Sequence, residues 1–364
     1  MNWISGERGA YNSSPEEKHL QDEEEASPIW NEDEPLRAEV RGFTQEQMVT
    51  CENCLRANPP TRASCLYCGA ALPVTEAAAN LLQPLLRPLE TWEQGFNAIL
   101  LPGERRLADD ALTEISDLLK LETETVERMM TAGAPLPLAR AATEVEAALI
   151  EKRLATLGFQ VLIVADKELD APAPQRLRAM EMTDDFLGVY ATGSQSASSV
   201  KWADIALMVA GRRILRRLEV AERPGRKKEK ELVDSRELST DEPRLDLYLN
   251  RDAGAWRVAG DNFDFSCLRE KKSLVASQNF QTLTGVLRER AKDALYDDSY
   301  LRVRTVLSLV WPLEQHTESL GLRKRGMGPR VNTEAVTTSD NEMQFTRYSK
   351  LLHHLKLRGH ELKA

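Results

Sequence analysis

Four cysteines near the start of the chain constrain its fold more than any other feature. Cys51, Cys54, Cys65 and Cys68 follow the spacing C-x2-C-x10-C-x2-C. Each CxxC turn directs two thiolates toward one point, and four thiolates complete a tetrahedral metal site. Because so short a segment cannot bury a core of its own, the spacing predicts that a metal ion folds it.

The expected ion is a single structural Zn2+. Four sulfur ligands leave no open position for water, so such a site folds a module and does not catalyse. The first residues are acidic and polar and do not follow the pattern of a secretory signal. Paired cysteines in a chain without an export signal favour metal ligation over disulfides. The fifth cysteine, Cys267, is interpreted as a buried thiol at a strand end.

Length and charge limit the classes of protein to consider. The chain has 364 residues, of which 42% are hydrophobic, so it can form more than one core. Its formal net charge of -9 argues against a protein that coats nucleic acid with its whole surface. No run of residues approaches the roughly 18 apolar positions of a spanning helix. We therefore expect a soluble, cytoplasmic protein with no membrane span.

Composition and periodicity divide the chain into segments, and the expected fold class is multidomain α+β. The acidic N-terminal segment has few aliphatic residues and is predicted to be disordered. The predicted order is a disordered acidic tail (1–46), a zinc ribbon (47–73), a linker (74–94), a small α/β sandwich (95–168), an antiparallel β domain (176–293) and a helical C-terminal extension packed on the β domain (294–364).

The α/β segment begins and ends with a short apolar strand. These predicted strands are FNAILL at 96–101 and FQVLIVA at 159–165. Between them, apolar residues at three- and four-residue steps predict three helices, the last from Ala141 to Leu157. The order strand, helix, helix, helix, strand predicts a small α/β sandwich.

The β domain shows alternating apolar residues separated by turn signals. RAMEM, FLGVYATG, SSVKWADIALMVAG and RRILRRLEVAE are predicted to be consecutive antiparallel strands. The charged stretch 223–243 is predicted to be a solvated loop inserted between strands. Helical periodicity follows, with Phe280, Leu283 and Leu287 on one face.

The cysteine segment carries a family resemblance. Its pattern, with Asn58 between the two cysteine pairs, resembles the Ran-binding-protein type of zinc finger, a family that often contacts single-stranded RNA or ubiquitin. The resemblance implies that Asn58 and Arg62 occupy positions used by the RNA-binding members. Val49 replaces the aromatic residue on which bases stack in those members. The ending CLYCGAAL is similar to the bacterial zinc ribbon, which is mostly an assembly module.

Two weaker resemblances concern the larger segments. Residues 95–165 resemble the C-terminal domain of the bacterial ribosomal stalk protein in element order and apolar pattern; the docking lysines and glycines of that family are not kept, so we expect its fold and not its partner. Residues 176–293 resemble bacterial pleckstrin-homology-like domains through Lys201, Trp202 and Ile205. That resemblance implies contact with anionic lipid, for which the basic cluster near Arg223 supplies charge.

No catalytic constellation is recognised in the sequence. None of the five histidines lies in a nucleophile or metal pattern, and the adjacent His353 and His354 are interpreted as surface and groove residues. No small-molecule substrate is identified. The sequence therefore predicts a non-enzymatic zinc-binding adaptor or regulatory protein that contacts an unknown protein partner. The alternatives are single-stranded RNA binding through the finger, with Asn58 and Arg62 as readers, and anionic-lipid binding by the β domain.

Overall fold

A computed structural model describes most of the chain after the N-terminal segment. The described residues are 43–73, 86–87, 89–90, 93–103, 109–194, 196–224, 230–250, 254–323, 332–360 and 362. The predicted tail, up to its last four residues, and most of the predicted linker lie outside these ranges. The described residues from Gln45 onward belong to one compact unit.

The cysteine segment is a small finger with very short regular elements. A 3-10 helix, Gln45–Gln47, precedes strand β1, Val49–Thr50, which pairs antiparallel with β2, Ala57–Asn58. An isolated bridge joins Ser64 to Ala71 in the second half. These few hydrogen bonds leave loops as the main support of the cysteines.

A three-stranded antiparallel sheet carries three helices in the next segment. The strand order is β4-β3-β5, with β3 in the centre. The elements in chain order are β3 (Phe96–Leu100), α1 (Asp109–Leu119), α2 (Thr123–Met130), β4 (Leu136–Ala141), α3 (Glu144–Thr156) and β5 (Val161–Ala165). The mixed α/β character agrees with the prediction, but the element order does not.

Strand β4 was missed because its residues were assigned to the helical region. Pro135 and Pro137 disfavour a helix there, since proline lacks an N–H donor and restricts the preceding residue. Helix α3 starts after the predicted Ala141, where the Thr143 hydroxyl accepts a hydrogen bond from the Glu146 backbone N–H. The third predicted helix is therefore shorter, and a buried strand precedes it.

The remaining strands form one large sheet, with nine strands among the described residues. The order is β13-β14-β9-β10-β11-β6-β7-β8, and β12 pairs in parallel with β9. Most pairs are antiparallel, and β11 pairs in parallel with β6. The strands are β6 (Gln175–Met182), β7 (Phe186–Ala191), β8 (Ala197–Lys201), β9 (Ile205–Pro224), β10 (Lys230–Leu249), β11 (Ala255–Ala259), β12 (Leu295–Asp297), β13 (Glu314–Arg323) and β14 (Asn332–Asp340).

The predicted charged loop at 223–243 is wrong. Most of it belongs to β10, which pairs with β9 from Lys230 opposite Pro224 to Leu249 opposite Ile205. RRILRRLEVAE is not a separate strand either, because β9 runs unbroken through it. Residues 234–241 are exposed, and Arg236 lies opposite Glu219. A strand that meets water on both faces needs no apolar alternation, so its composition resembles that of a loop.

The predicted helical C-terminal extension is also wrong in part. Residues 294–364 contain helices α5, Tyr300–Leu307, and α6, Glu342–Leu357, but they also supply β12, β13 and β14 to the sheet. Strand β14 reads NTEAVTTSD, and its threonines and valine favour extended backbone. Helix α4, Ala276–Arg290, buries Phe280, Leu283 and Leu287 on one face, as the periodicity indicates.

One apolar core joins the three-stranded sheet to the large sheet. It combines Ile99 and Leu136 of the small sheet with Leu207 of the large sheet and with Tyr300 and Phe345 of helices α5 and α6. A second core lies across the large sheet and α4. The two segments therefore depend on each other for burial, because each covers an apolar face of its neighbour.

The buried carboxylate of Asp166 adds polar contacts between the three-stranded sheet and helix α6. Asp166 accepts hydrogen bonds from the Gly95 backbone N–H and the Asn97 side chain, each at 2.8 Å, and from Arg140 Nε at 2.9 Å. Arg347 of α6 forms an ion pair with it from the other side. Asp166 therefore links three strands of the small sheet to the C-terminal helix.

The segment expected to mark a pleckstrin-homology-like strand spans the end of one strand and the start of another. Lys201 ends β8, Ile205 begins β9, and Trp202 lies in the 3-10 turn between them. Trp202 is buried, and its Nε1 donates to the Thr183 carbonyl at 3.0 Å. Among the described residues, no helix is long and apolar enough to cross a membrane.

Candidate metal centre

The four cysteine sulfurs lie together at one end of the finger. All of them lie within 4.8 Å of one another, and the Sγ atoms are 3.6 Å apart for Cys51 and Cys68 and 3.5 Å apart for Cys54 and Cys65. A tetrahedral ion with metal–sulfur bonds of about 2.3 Å requires sulfurs about 3.8 Å apart. The four cysteines can therefore hold one metal ion.

Each CxxC pair belongs to a tight backbone turn, and the two turns repeat one pattern. In the first, the Leu55 N–H donates to the Cys51 carbonyl at 2.8 Å; in the second, the Gly69 N–H donates to the Cys65 carbonyl at 3.0 Å. The residue after each pair has positive φ, 59° at Leu55 and 73° at Gly69. Glycine adopts this conformation freely, whereas for leucine the conformation costs about 1–2 kcal/mol of free energy.

Asn58 connects the two turns from inside the finger. Its side chain is fully buried; Nδ2 donates to the Arg56 carbonyl and Oδ1 accepts from the Leu66 N–H, each at 2.8 Å. Both ends of the amide are thus used within the finger. Arg62, the other predicted RNA contact, is half-buried and donates to the Ser64 carbonyl at 3.4 Å. The structure brings Asn58 to the cysteines as a support, with no face of its amide on the surface.

The cysteines differ in exposure and in proton affinity. Cys51 and Cys65 are buried, Cys54 is half-buried and Cys68 is exposed. At Cys65, burial acts to raise the pKa, but hydrogen bonds from the Tyr67 and Cys68 backbone lower it to about 6. At Cys54, the Arg56 backbone acts to lower the pKa, but burial and the neighbouring thiols raise it to about 12. A cation is thus needed to keep all four sulfurs as thiolates.

Apolar side chains surround the metal centre on its solvent side. Leu55, Leu66 and Tyr67 are 79%, 52% and 56% exposed. The Arg56 guanidinium lies over the Tyr67 ring, 4.6 Å from its centroid. We call Leu55, Arg56, Leu66 and Tyr67 the knuckle surface. The signal was present in the sequence, because a solvated turn rarely has leucine and tyrosine between its cysteines, as CLYC does.

Comparison of the chain with protein-family models, with curated proteins and with solved structures finds no match. The resemblances to the Ran-binding-protein finger, the stalk-protein domain and the pleckstrin-homology-like domain therefore stay predictions. The metal centre rests on its own geometry. Of the basic residues considered for lipid contact, Arg223 lies near the end of β9, and residues 225–229 lie outside the described ranges.

Proposed function

We propose that the four cysteines hold one structural zinc ion and that the chain is a non-enzymatic adaptor or regulatory protein. The observation that carries this proposal is a closed set of four sulfur ligands beneath the exposed knuckle surface. Four thiolates saturate zinc, so no position remains for water or substrate. The metal then fixes the surrounding backbone, and the exposed side chains on that backbone bind the partner.

The knuckle surface has the features of a protein-binding anchor. Exposing leucine and tyrosine side chains to water is unfavourable for so small a module. Tyrosine and arginine are over-represented among the residues that dominate binding energy. Backbone hydrogen bonds and the Asn58 side chain already fix both turns before a partner binds. Binding therefore costs little conformational entropy in the backbone of these turns. The partner that suits this surface offers an apolar pocket with a carboxylate beside it for Arg56.

Matched variants test the proposal by affinity capture. The double substitution Leu66→Asp and Tyr67→Asp changes two of the four residues of the knuckle surface and keeps all four cysteines. Leu274 and Val275 form a control pair, because they are 106% and 48% exposed and lie far from the cysteines in sequence. The same double change to aspartate there keeps the added charge equal.

The expected result is a protein retained by the wild type and by the control pair but not by the knuckle variant. Its purified form should bind the wild type with a dissociation constant that rises at least tenfold in the knuckle variant. Equal zinc content in all three baits shows that the finger is intact. A partner retained equally by the knuckle variant would contradict the proposal, as would turnover of a metabolite that depends on a residue outside the finger.

Single-stranded RNA binding is a second candidate because Arg56 and Tyr67 form an exposed cationic platform. Bases stack on such aromatic rings with about 1–3 kcal/mol each, and a neighbouring arginine adds attraction. Fluorescence anisotropy with single-stranded oligonucleotides separates the candidates: salt-sensitive binding that Tyr67→Ala abolishes would favour RNA over protein. Anionic-lipid binding by the large sheet stays a prediction, which sedimentation with anionic liposomes tests.

A further inference from the structure

A cavity of about 720 Å³ lies beside helix α6, away from the metal centre in sequence. Its walls come from the chain between β5 and β6, from strands β8, β10 and β11, and from α6. Pro172, Val200, Leu249, Trp256 and Leu357 give it an apolar lining. Its volume lies within the range of about 300–1,000 Å³ that is usual for small-molecule sites.

The polar side chains of the cavity are mostly basic or neutral. Lys350, His353 and His354 all line it, so the adjacent histidines share one cavity instead of facing apart. His353 stacks on the Tyr248 ring, with centroids 4.4 Å apart. His354 Nε2 is buried and has no hydrogen-bond partner in the part of the chain that the structure describes.

Lys350 has no direct hydrogen-bond or ion-pair partner among the described residues, although the charges of Asp170 and Asp246 act on it from a distance. Burial lowers the pKa of its ammonium group. Within the described ranges it forms no hydrogen bond and no ion pair shorter than 4.0 Å. Glu168 is the one carboxylate among the described lining residues, and it is already engaged: its oxygens accept from the Ala165 N–H at 2.8 Å and from Arg358 at 2.5 Å.

We propose that this cavity binds a small amphipathic anion, a monocarboxylate or monosulfonate with an aromatic or apolar body. The anionic group lies against Lys350 and offsets the burial of its charge. The body lies against Trp256 and the apolar side chains opposite. One anionic group suffices, because Lys350 is the one lysine or arginine among the described residues of the lining.

Two fluorescent dyes that share one body test this assignment on the full-length protein. The anionic dye is 8-anilinonaphthalene-1-sulfonate, and its neutral counterpart is N-phenyl-1-naphthylamine, which lacks the sulfonate. The test variant is Lys350→Gln. Lys356→Gln is the control, because Lys356 lies on the same helix and is exposed. Ala173→Trp adds a bulky side chain to the loop that lines the cavity.

In the wild type, the sulfonate dye should bind more tightly than the neutral dye. Lys350→Gln should raise the dissociation constant of the sulfonate dye about tenfold and leave that of the neutral dye within about twofold. Lys356→Gln should change neither, and Ala173→Trp should weaken both. An unchanged affinity of Lys350→Gln for the sulfonate dye would overturn the proposal, as would wild-type binding of both dyes to Ala173→Trp.

Discussion

The finger and the larger body of this chain are stabilised by different means. In the finger, the buried apolar cluster consists of Cys51, Cys65 and Leu72, so candidate metal ligands make up most of the core. In the body, two extensive cores of aliphatic and aromatic side chains are shared between sheets and helices. The finger should therefore fail when its ion is removed, and the body when its packing or its buried charges are disturbed.

Metal removal should produce the largest effect. Structural zinc contributes apparent binding free energies of about 10–16 kcal/mol, which in a finger is folding free energy. After chelation, hydrogen exchange should show unprotected amides in the finger and unchanged protection in the body. The midpoint of thermal unfolding of the body should change by less than about 2 °C. Loss of amide protection in the body would show that the two regions are not separate.

Two cysteine substitutions sharpen the same contrast. Cys51→Ala removes a buried ligand and should abolish metal binding. Cys267→Ala is the matched control, because Cys267 lies outside the finger and burial raises the pKa of its thiol to about 11. The control should retain one metal ion per chain by elemental analysis. Metal loss in Cys267→Ala would show that the ligand set is misassigned.

Asp166→Asn should destabilise the body by about 3–5 kcal/mol, because it removes the buried charge that pairs with the partly buried Arg140 and Arg347. Chemical unfolding followed by tryptophan fluorescence measures this loss. The control is Asp170→Asn, since Asp170 is exposed and should change the free energy of unfolding by less than about 0.5 kcal/mol. The metal content should stay at the wild-type level in both variants. Equal stability of the two variants would contradict the role of Asp166.

The same carboxylate predicts a pH dependence for the body. Burial acts to raise the pKa of Asp166, but the hydrogen bond from Arg140 and the charge of Arg347 lower it below its ordinary value. The native state therefore binds the proton less readily than the unfolded state does. The contribution is present above about pH 4, the unfolded pKa, and is lost as the pH falls through the native pKa. The stability difference between wild type and Asp166→Asn should shrink on acidification; a constant difference would refute this origin.

Asn58→Ala should weaken the finger without affecting the body. The substitution removes two buried hydrogen bonds and leaves the Leu66 N–H and the Arg56 carbonyl without that partner, at a cost of about 1–3 kcal/mol. Because metal binding and folding are coupled, competition with a chelator should show a dissociation constant for zinc at least about fivefold higher. Leu66→Ala is the control, because its side chain is 52% exposed, and it should change the constant less than twofold. An unchanged dissociation constant for zinc in Asn58→Ala would contradict the supporting role of Asn58 in the finger.

The smallest expected effects lie at the two residues with positive φ. Leu55→Gly should tighten zinc binding by about 1 kcal/mol, because glycine adopts this conformation without strain. Gly69→Ala should weaken it by a similar amount, although nothing lies within 4 Å of the added methyl group. The same chelator competition measures both. Shifts of equal sign in the two variants would contradict the matched geometry of the turns.

How much the sequence revealed depends on the distance between partners along the chain. The cysteine site was predicted because each pair is set by one local turn, and α4 was found from its local periodicity. Strand β10 was missed because its exposed part does not alternate between apolar and polar residues. The contacts of Asp166 could not be predicted from the sequence, because its partners Gly95 and Arg347 are 71 and 181 residues away. The cavity beside α6 was missed for the same reason, since five separate segments form it.

The central claim is that four cysteines close the coordination sphere of one zinc ion. X-ray absorption at the zinc edge of the purified protein tests it most directly. We expect one zinc ion per chain with four sulfur neighbours at about 2.3 Å and no directly bound oxygen or nitrogen. A shell of two or three sulfurs with an oxygen or nitrogen at about 2.0 Å would contradict it, because such a site keeps a position open for chemistry.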